Sequence, residues 1–252
     1  MNDKHYKKRD AKHAEKKGGG QTYSKPRVGS SEDKLKQSKF RYLNEQLYTT
    51  TSEEAAKLFK EDPSLFSDYH EGYRQQVEKW PKNPLDILID ELKKPKYVGQ
   101  AIGDFGCGEG RLQLELEAAG HTKVHSFDVG KAAPHVVQTD ISHVPLESNV
   151  LDVGVFCLSL MGINFPAFLR EANRVIRPGG KLFVAEVVSR FPDSDCKSFL
   201  KCMKEQAGFQ SLKVAKLKDF FYVMVFEKEK RKLGTVQDDF AETLKPCLYK
   251  KR

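Results

Sequence analysis

The run Ile102-Gly103-Asp104-Phe105-Gly106-Cys107-Gly108-Glu109-Gly110-Arg111-Leu112 sets three alternating glycines behind a short apolar stretch that carries an acid. It reads as the end of a buried strand, a tight turn and the start of a helix. Gly106, Gly108 and Gly110 permit positive φ and let the backbone come within contact distance of a ligand. No Gly-Lys-Ser/Thr is present to hold a triphosphate and magnesium, and GxGxG stands where a dinucleotide loop has GxGxxG. Asp104, just before the first of these turn glycines, suits a cationic ligand better than a pyrophosphate. Asp128 closes the next apolar stretch about 20 residues past the glycines, where a ribose-binding carboxylate belongs in a nucleotide-binding α/β unit. Val136-Val137-Gln138-Thr139-Asp140-Ile141 brings Asp140 to another strand end, suited to an adenine amino group. Carboxylates at successive strand ends behind a glycine turn point to a ligand with a nucleoside and a positive charge.

That combination resembles motif I of the S-adenosylmethionine-dependent methyltransferases, whose cofactor carries an ammonium and a sulfonium. The elements that must position it follow from the pattern. Strands are predicted near 99–105, 123–127, 135–139, 150–157, 181–188, 210–217 and 220–227, with helices near 109–119, 165–175 and 194–207. Arg177-Pro178-Gly179-Gly180 reads as a helix stop before a strand. The last two strands, joined tightly at Lys218-Asp219, should pair as an antiparallel hairpin at the sheet edge. The expected fold is α/β: a Rossmann-like class I methyltransferase fold with a seven-stranded, mostly parallel sheet and an antiparallel last strand. Ligands of such sheets lie beyond the carboxyl ends of the strands, where Gly106, Asp128, Asp140 and Cys157 all fall.

Upstream, residues 39–95 form a helical lead: Phe40, Leu43 and Leu47 recur at helical spacing, and Thr51 to Glu54 offer N-cap chemistry. Pro63 opens another helix with Phe66, Tyr69 and Tyr73, and Asn83-Pro84 a further one. The chain has 252 residues and a net charge of +8, and residues 1–39 hold twelve Lys/Arg against five Asp/Glu. With few large apolar residues besides, residues 1–38 read as a disordered basic arm. Such an arm is an electrostatic footprint for nucleic acid, or an import signal. The methyltransferase domain is assigned to 96–228, and 229–252 to a polar tail with no clear element.

The five cysteines show no CxxC pair, so neither a disulfide framework nor a zinc site is indicated, and a reducing compartment is expected. No apolar leader opens the sequence, and no stretch reaches the roughly 18 apolar residues of a membrane span. His121 and His125 flank a predicted strand and read as surface histidines. His70, in an aromatic helical segment, reads by default as a packed core residue. Cys157 could be a cofactor-wall contact, an inert core thiol or a nucleophile; the last would imply cytosine-C5 methylation. Phe156 precedes it, rather than the proline or threonine usual before such a nucleophile, and no basic neighbour is evident to lower its pKa.

Longer runs carry a sharper resemblance. Phe40-Arg41-Tyr42-Leu43-Asn44-Glu45-Gln46-Leu47-Tyr48, Tyr69-His70-Glu71-Gly72-Tyr73, Gln76-Val77-Glu78-Lys79-Trp80-Pro81 and Phe156-Cys157-Leu158-Ser159-Leu160-Met161-Gly162 resemble the nucleomethylin (ribosomal RNA-processing protein 8) family. Glu171-Ala172-Asn173-Arg174-Val175 and Ala185-Glu186-Val187 extend it over about residues 38–227. The resemblance implies S-adenosylmethionine-dependent methylation of adenine N1 in large-subunit ribosomal RNA, in the nucleus and nucleolus. It also implies a link to ribosomal DNA silencing, with chromatin and silencing factors as further partners and no membrane. Cofactor contacts carried over by motif are His70, Gly106, Asp128, Asp140, Ile141 and Cys157, with no metal and no assigned catalytic residue. Adenine N1 attacks through a neutral lone pair, so no general base is required, but the base must be unpaired. Tyr69, Tyr73 and Phe156 are candidates to stack on it. A chromatin factor that binds the cofactor without turnover is the alternative from a different class.

Overall fold

The computed structural model describes residues 31–192, 195–231 and 233–249. Seven strands make one sheet: β1 Ile102–Phe105, β2 Val124–Asp128, β3 Val136–Gln138, β4 Leu151–Cys157, β5 Ile176–Val187, β6 Phe209–Leu217 and β7 Phe221–Lys228. Their order is β3-β2-β1-β4-β5-β7-β6. The first five run parallel, and β7 lies antiparallel between β5 and β6. The chain reverses direction across the sheet between β1 and β4, so a crevice opens at their carboxyl ends. Burial on both faces explains the unbroken apolar runs of β1 and β4, all of whose residues are buried apart from Asp152 and Cys157.

Helices α1 Ser31–Thr49, α2 Ser52–Glu61, α3 Ser64–Val77 and α4 Pro84–Leu92 precede the sheet. Helix α2 begins with a capping box in which Thr51 and Glu54 satisfy each other's backbone N–H groups, and α4 with the Asn83 side chain accepting from Leu85 N–H. Helices α5 Arg111–Glu117, α6 Phe165–Val175 and α7 Lys197–Glu205 link the strands. Phe40 and Leu43 of α1 pack on Tyr69 of α3 in a small core of their own, separate from the two cores lining the sheet faces.

Four expectations change. Helix α1 starts at Ser31, inside the segment read as a disordered arm; residues 1–30 lie outside the described residues. The tail is not free either: Phe240 is fully buried against Phe165 and Phe199, and Leu244 joins the same core. Its two apolar anchors sit among lysines and acids, so no periodic signal marked them. Arg177 to Gly180, expected as a helix stop ahead of a strand near 181–188, belong to β5 itself, which carries a register shift where it pairs with β4. His121 is buried at 2% exposure, and neither ring nitrogen has a hydrogen-bond partner among the described residues.

One buried ion pair ties the C-terminal segment down. Arg190 and Glu186, both essentially unexposed, lie 2.7 Å apart. The guanidinium also donates to the Leu160 carbonyl at 2.8 Å and the Lys245 carbonyl at 2.9 Å, and sits over the Tyr48 ring.

Candidate cofactor and substrate site

A cavity of about 470 Å³ sits at the carboxyl ends of β1, β2 and β4, roofed by α2 and α3. Its floor is the glycine turn. Gly106 has φ +73°, and a Cβ there would lie 2.4 Å from the Ser159 side chain; Gly108 has φ +58°, and a Cβ would meet the His70 ring at 2.8 Å. Side chains are therefore excluded by both conformation and space, and the bare backbone faces the cavity.

Asp128 at the end of β2 accepts the Gly108 N–H at 2.8 Å and the Gly130 N–H at 3.3 Å, so the ribose-site candidate also holds the turn in shape. Burial pushes its pKa up to about 6 despite those bonds. Asp104 on β1 is 3% exposed, and its carboxyl makes no hydrogen bond or ion pair among the described residues. Burial, reinforced by the Asp128 charge, pushes it up to about 7. Two carboxyls raised together in one cavity form a site that gains from an incoming cation.

His70 of α3 faces the glycine turn and packs on Phe66, Tyr69 and Tyr73. Burial and nearby Arg74 lower its pKa to about 4, so the ring is neutral near pH 7. Cys157 ends β4 in the cavity wall, and burial, with Asp104 and Glu186, pushes its thiol well above the ordinary range. That opposes the thiolate a cytosine-C5 mechanism needs. The next residue, Leu158, holds a left-handed φ of +59°, backbone strain in the cavity wall, which Leu158 and Ser159 continue.

Of the six candidates, His70, Gly106, Asp128, Ile141 and Cys157 line this one cavity. Asp140 stands just behind the lining: it accepts the Ser52 hydroxyl at 2.7 Å and the Ser142 N–H at 2.8 Å. Of the three stacking candidates, Tyr69 and Tyr73 line the cavity, whereas Phe156 lies in the core against Phe105. In a strand buried on both faces, alternation could not tell which way Phe156 points. Sequence reasoning missed Ser52, bonded to both Asp140 and Asn164, along with Met161, Ser159 and the Arg74–Glu109 ion pair at the cavity wall. Ser52 had a signal only as capping chemistry, and its second role depends on residues 88 and 112 positions away.

Comparison with known proteins gives the family. Residues 28–252 match a family described as hypothetical methyltransferase. The chain is 41% identical over 227 residues to the 25S rRNA (adenine(645)-N(1))-methyltransferase of Schizosaccharomyces pombe, covering 87% of this chain and 70% of that protein. It is 45% identical to ribosomal RNA-processing protein 8 of Drosophila melanogaster, covering 85% of this chain and 57% of that protein. The chain belongs to the ribosomal RNA-processing protein 8 family of methyltransferases. Several members of that family are longer: the chain spans 46% of the Mus musculus relative, at 42% identity over 87% of its own length. Among solved structures, a Burkholderia thailandensis 1,6-didemethyltoxoflavin-N1-methyltransferase with bound S-adenosylhomocysteine matches with TM-score 0.53 at 16% identity, covering 68% of this chain and 90% of that one. A [4+2]-cyclase matches equally well in fold, with TM-score 0.53 over 74% of this chain and 98% of its own. The architecture is thus that of the methyltransferases, and the reaction must be argued from the site.

Proposed function

We propose that the protein methylates N1 of an unpaired adenine in large-subunit ribosomal RNA, with S-adenosylmethionine as methyl donor. The observation that carries this reading is the pair of buried carboxyls, Asp104 and Asp128, facing a glycine cradle that opens beside neutral aromatics. The residues fit the cofactor: Asp104 is an unpaired buried acid suited to its ammonium, and Asp128 a double acceptor suited to its ribose. Ile141 and Cys157 supply apolar wall for the adenine. Asp140 accepts one hydrogen bond at each oxygen, which leaves a lone pair on each for the adenine amino group. His70, neutral and packed on the glycine turn, closes the methionine end. When bound, the cofactor supplies an electrophilic methyl on a sulfonium.

The protein's remaining task is to present the base. Adenine N1 attacks with its own lone pair, so no side chain has to take a proton, and the neutral surroundings of Tyr69 and Tyr73 fit that chemistry. Catalysis rests on holding the base in line and excluding water. The product base carries the positive charge, which the electron-rich faces of Tyr69 and Tyr73 can attract. Support for ribosomal RNA as substrate comes from the names of the S. pombe and D. melanogaster relatives. A protein acting on ribosomal RNA during its processing would work in the nucleolus; no helix among the described residues is long and apolar enough to cross a membrane.

The test is to map N1-methyladenine in large-subunit ribosomal RNA from cells with and without the protein. A single modified adenine that disappears with the protein is expected; an unchanged map would refute the proposal.

A further inference from the structure

A second cavity, of about 860 Å³, lies beside the first, between α1, the end of α3 and the β6–β7 turn. Its lining contains no acid, three cations and four aromatics. The cations, Lys34, Arg41 and Lys79, have no carboxylate within ion-pair distance among the described residues, although Lys36 and Lys39 of the same helix pair with Glu71 and Asp68. Arg41 makes one side-chain bond, to the Ser38 hydroxyl at 2.8 Å. The basic charge facing this cavity is therefore left uncompensated while its neighbours on α1 are neutralised.

The aromatics connect the two cavities. Tyr73, in the cofactor-cavity wall, contacts Trp80 at 5.7 Å between ring centroids, and Trp80 contacts Phe221 at 5.0 Å. On the other side Tyr69 stacks on Phe40, which contacts Tyr249. The β6–β7 turn takes left-handed φ at both Lys218 and Asp219, as a tight hairpin of the right twist requires. That strained turn holds Phe220 outward at the cavity rim, 40% exposed. Cations without partners interleaved with accessible rings match a polyanion that also offers flat π-faces. An acidic peptide would use the charge but leave the rings unexplained.

We propose that this cavity binds the single-stranded RNA flanking the target adenine, with Lys34, Arg41 and Lys79 on its phosphates and Trp80, Phe220 and Tyr249 stacking its bases. The inference rests on the RNA-methylation reading above and adds where the substrate strand runs. The strand follows the cavity and delivers one nucleotide past Tyr73 into the cofactor site, so base extrusion is assisted by stacking of its neighbours.

The test uses the full chain, a fluorescein-labelled 12-nucleotide RNA with one central adenine among uridines, and S-adenosylhomocysteine as the cofactor-site probe. Anisotropy is measured between 50 and 300 mM salt for the wild type, for Lys34→Glu/Arg41→Glu/Lys79→Glu, and for Phe220→Ala. The triple variant should lower the salt slope by about 2, roughly 0.7 for each of three lost phosphates. Phe220→Ala should weaken binding about tenfold with the slope unchanged, the size of one lost base stack. Both should bind S-adenosylhomocysteine as the wild type does, which also reports folding, and Phe220→Ala carries the test if the triple variant fails to fold. Unchanged RNA affinity in a folded variant overturns the proposal. So does a polyglutamate peptide that binds as tightly as the RNA and is indifferent to Phe220→Ala. Cavity-dependent RNA binding without any methyl transfer would refute the reaction and leave this site standing; transfer that ignores both variants would do the reverse.

Discussion

Replacing Asp128 with asparagine should lower cofactor affinity while leaving the stability of the ligand-free protein about level. The carboxylate already accepts Gly108 N–H at 2.8 Å and Gly130 N–H at 3.3 Å, and its remaining lone pairs face the cavity. Hydrogen bonds to a charged acceptor contribute about 1.5–3 kcal/mol each, and two ribose hydroxyls would use two of them. Asparagine keeps the shape and one neutral acceptor, so the loss is about 2–4 kcal/mol, roughly 30- to 700-fold in affinity. The ligand-free protein carries the opposite term. A carboxyl raised from 3.8 to about 6 is ionised near pH 8 at a cost of about 3 kcal/mol relative to the unfolded chain. The neutral amide removes that cost but turns its NH2 against one of the two glycine N–H groups, which costs about 1–3 kcal/mol, so the melting temperature of the ligand-free Asp128→Asn variant should stay about level. Titration calorimetry with S-adenosylmethionine at pH 8, beside thermal melts, measures both. Unchanged affinity would refute the ribose assignment, and a parallel fall in affinity and melting temperature would mean that Asp128 serves only to hold the glycine turn.

The same carboxyls set a pH dependence. Because their folded pKa values are raised, the stabilisation from protonating them is full below about pH 4 and is lost as pH climbs through about 6 for Asp128 and about 7 for Asp104. Cofactor affinity should run the other way, rising between pH 5 and 8 with protons released on binding, as calorimetry in buffers of different ionisation enthalpy would detect; a flat profile contradicts the role of the pair. Cys157→Ser should retain single-turnover methyl transfer to an unpaired-adenine RNA within about tenfold, because a buried neutral thiol is wall and not nucleophile. Complete loss, with 5-methylcytosine formed by the wild type, would establish the cytosine reaction instead. Arg190→Leu should destabilise the fold by about 3–5 kcal/mol through the stranded Glu186 charge, and Glu186→Leu/Arg190→Leu by much less, read from urea melts; equal losses would mean that packing, not charge, decides. Deleting residues 1–30, which hold nine Lys/Arg against three Asp/Glu, should weaken RNA binding and flatten its salt slope while cofactor affinity holds. If only localisation changes, the segment is an import signal.

The sheet and its glycine turn were legible in the sequence because each rests on local chemistry. Long apolar runs mark strands buried on both faces, and Gly106 and Gly108 mark places where no Cβ fits. That Asp128 ends β2 at the cavity could be read from its distance past the turn, since one strand–helix–strand unit has a nearly fixed length. The direction of Phe156 could not, because a strand covered on both sides has no alternation to read. Nor could the burial of His121, Phe240 or the Glu186–Arg190 pair, since each depends on what arrives from a distant segment to cover it. Helix α1 was half hidden by its charge: Lys36 and Lys39 look like a solvated tail until Glu71 and Asp68 of α3 come alongside. The sequence by itself determined the glycine turn and the fold class, both written in short-range spacing. Tertiary structure alone decided which cations remain unpaired and which aromatics join the two cavities. Charge compensation and stacking are properties of neighbours in space, and those neighbours come from α1, α3 and the β6–β7 turn, the last more than 100 residues beyond the two helices.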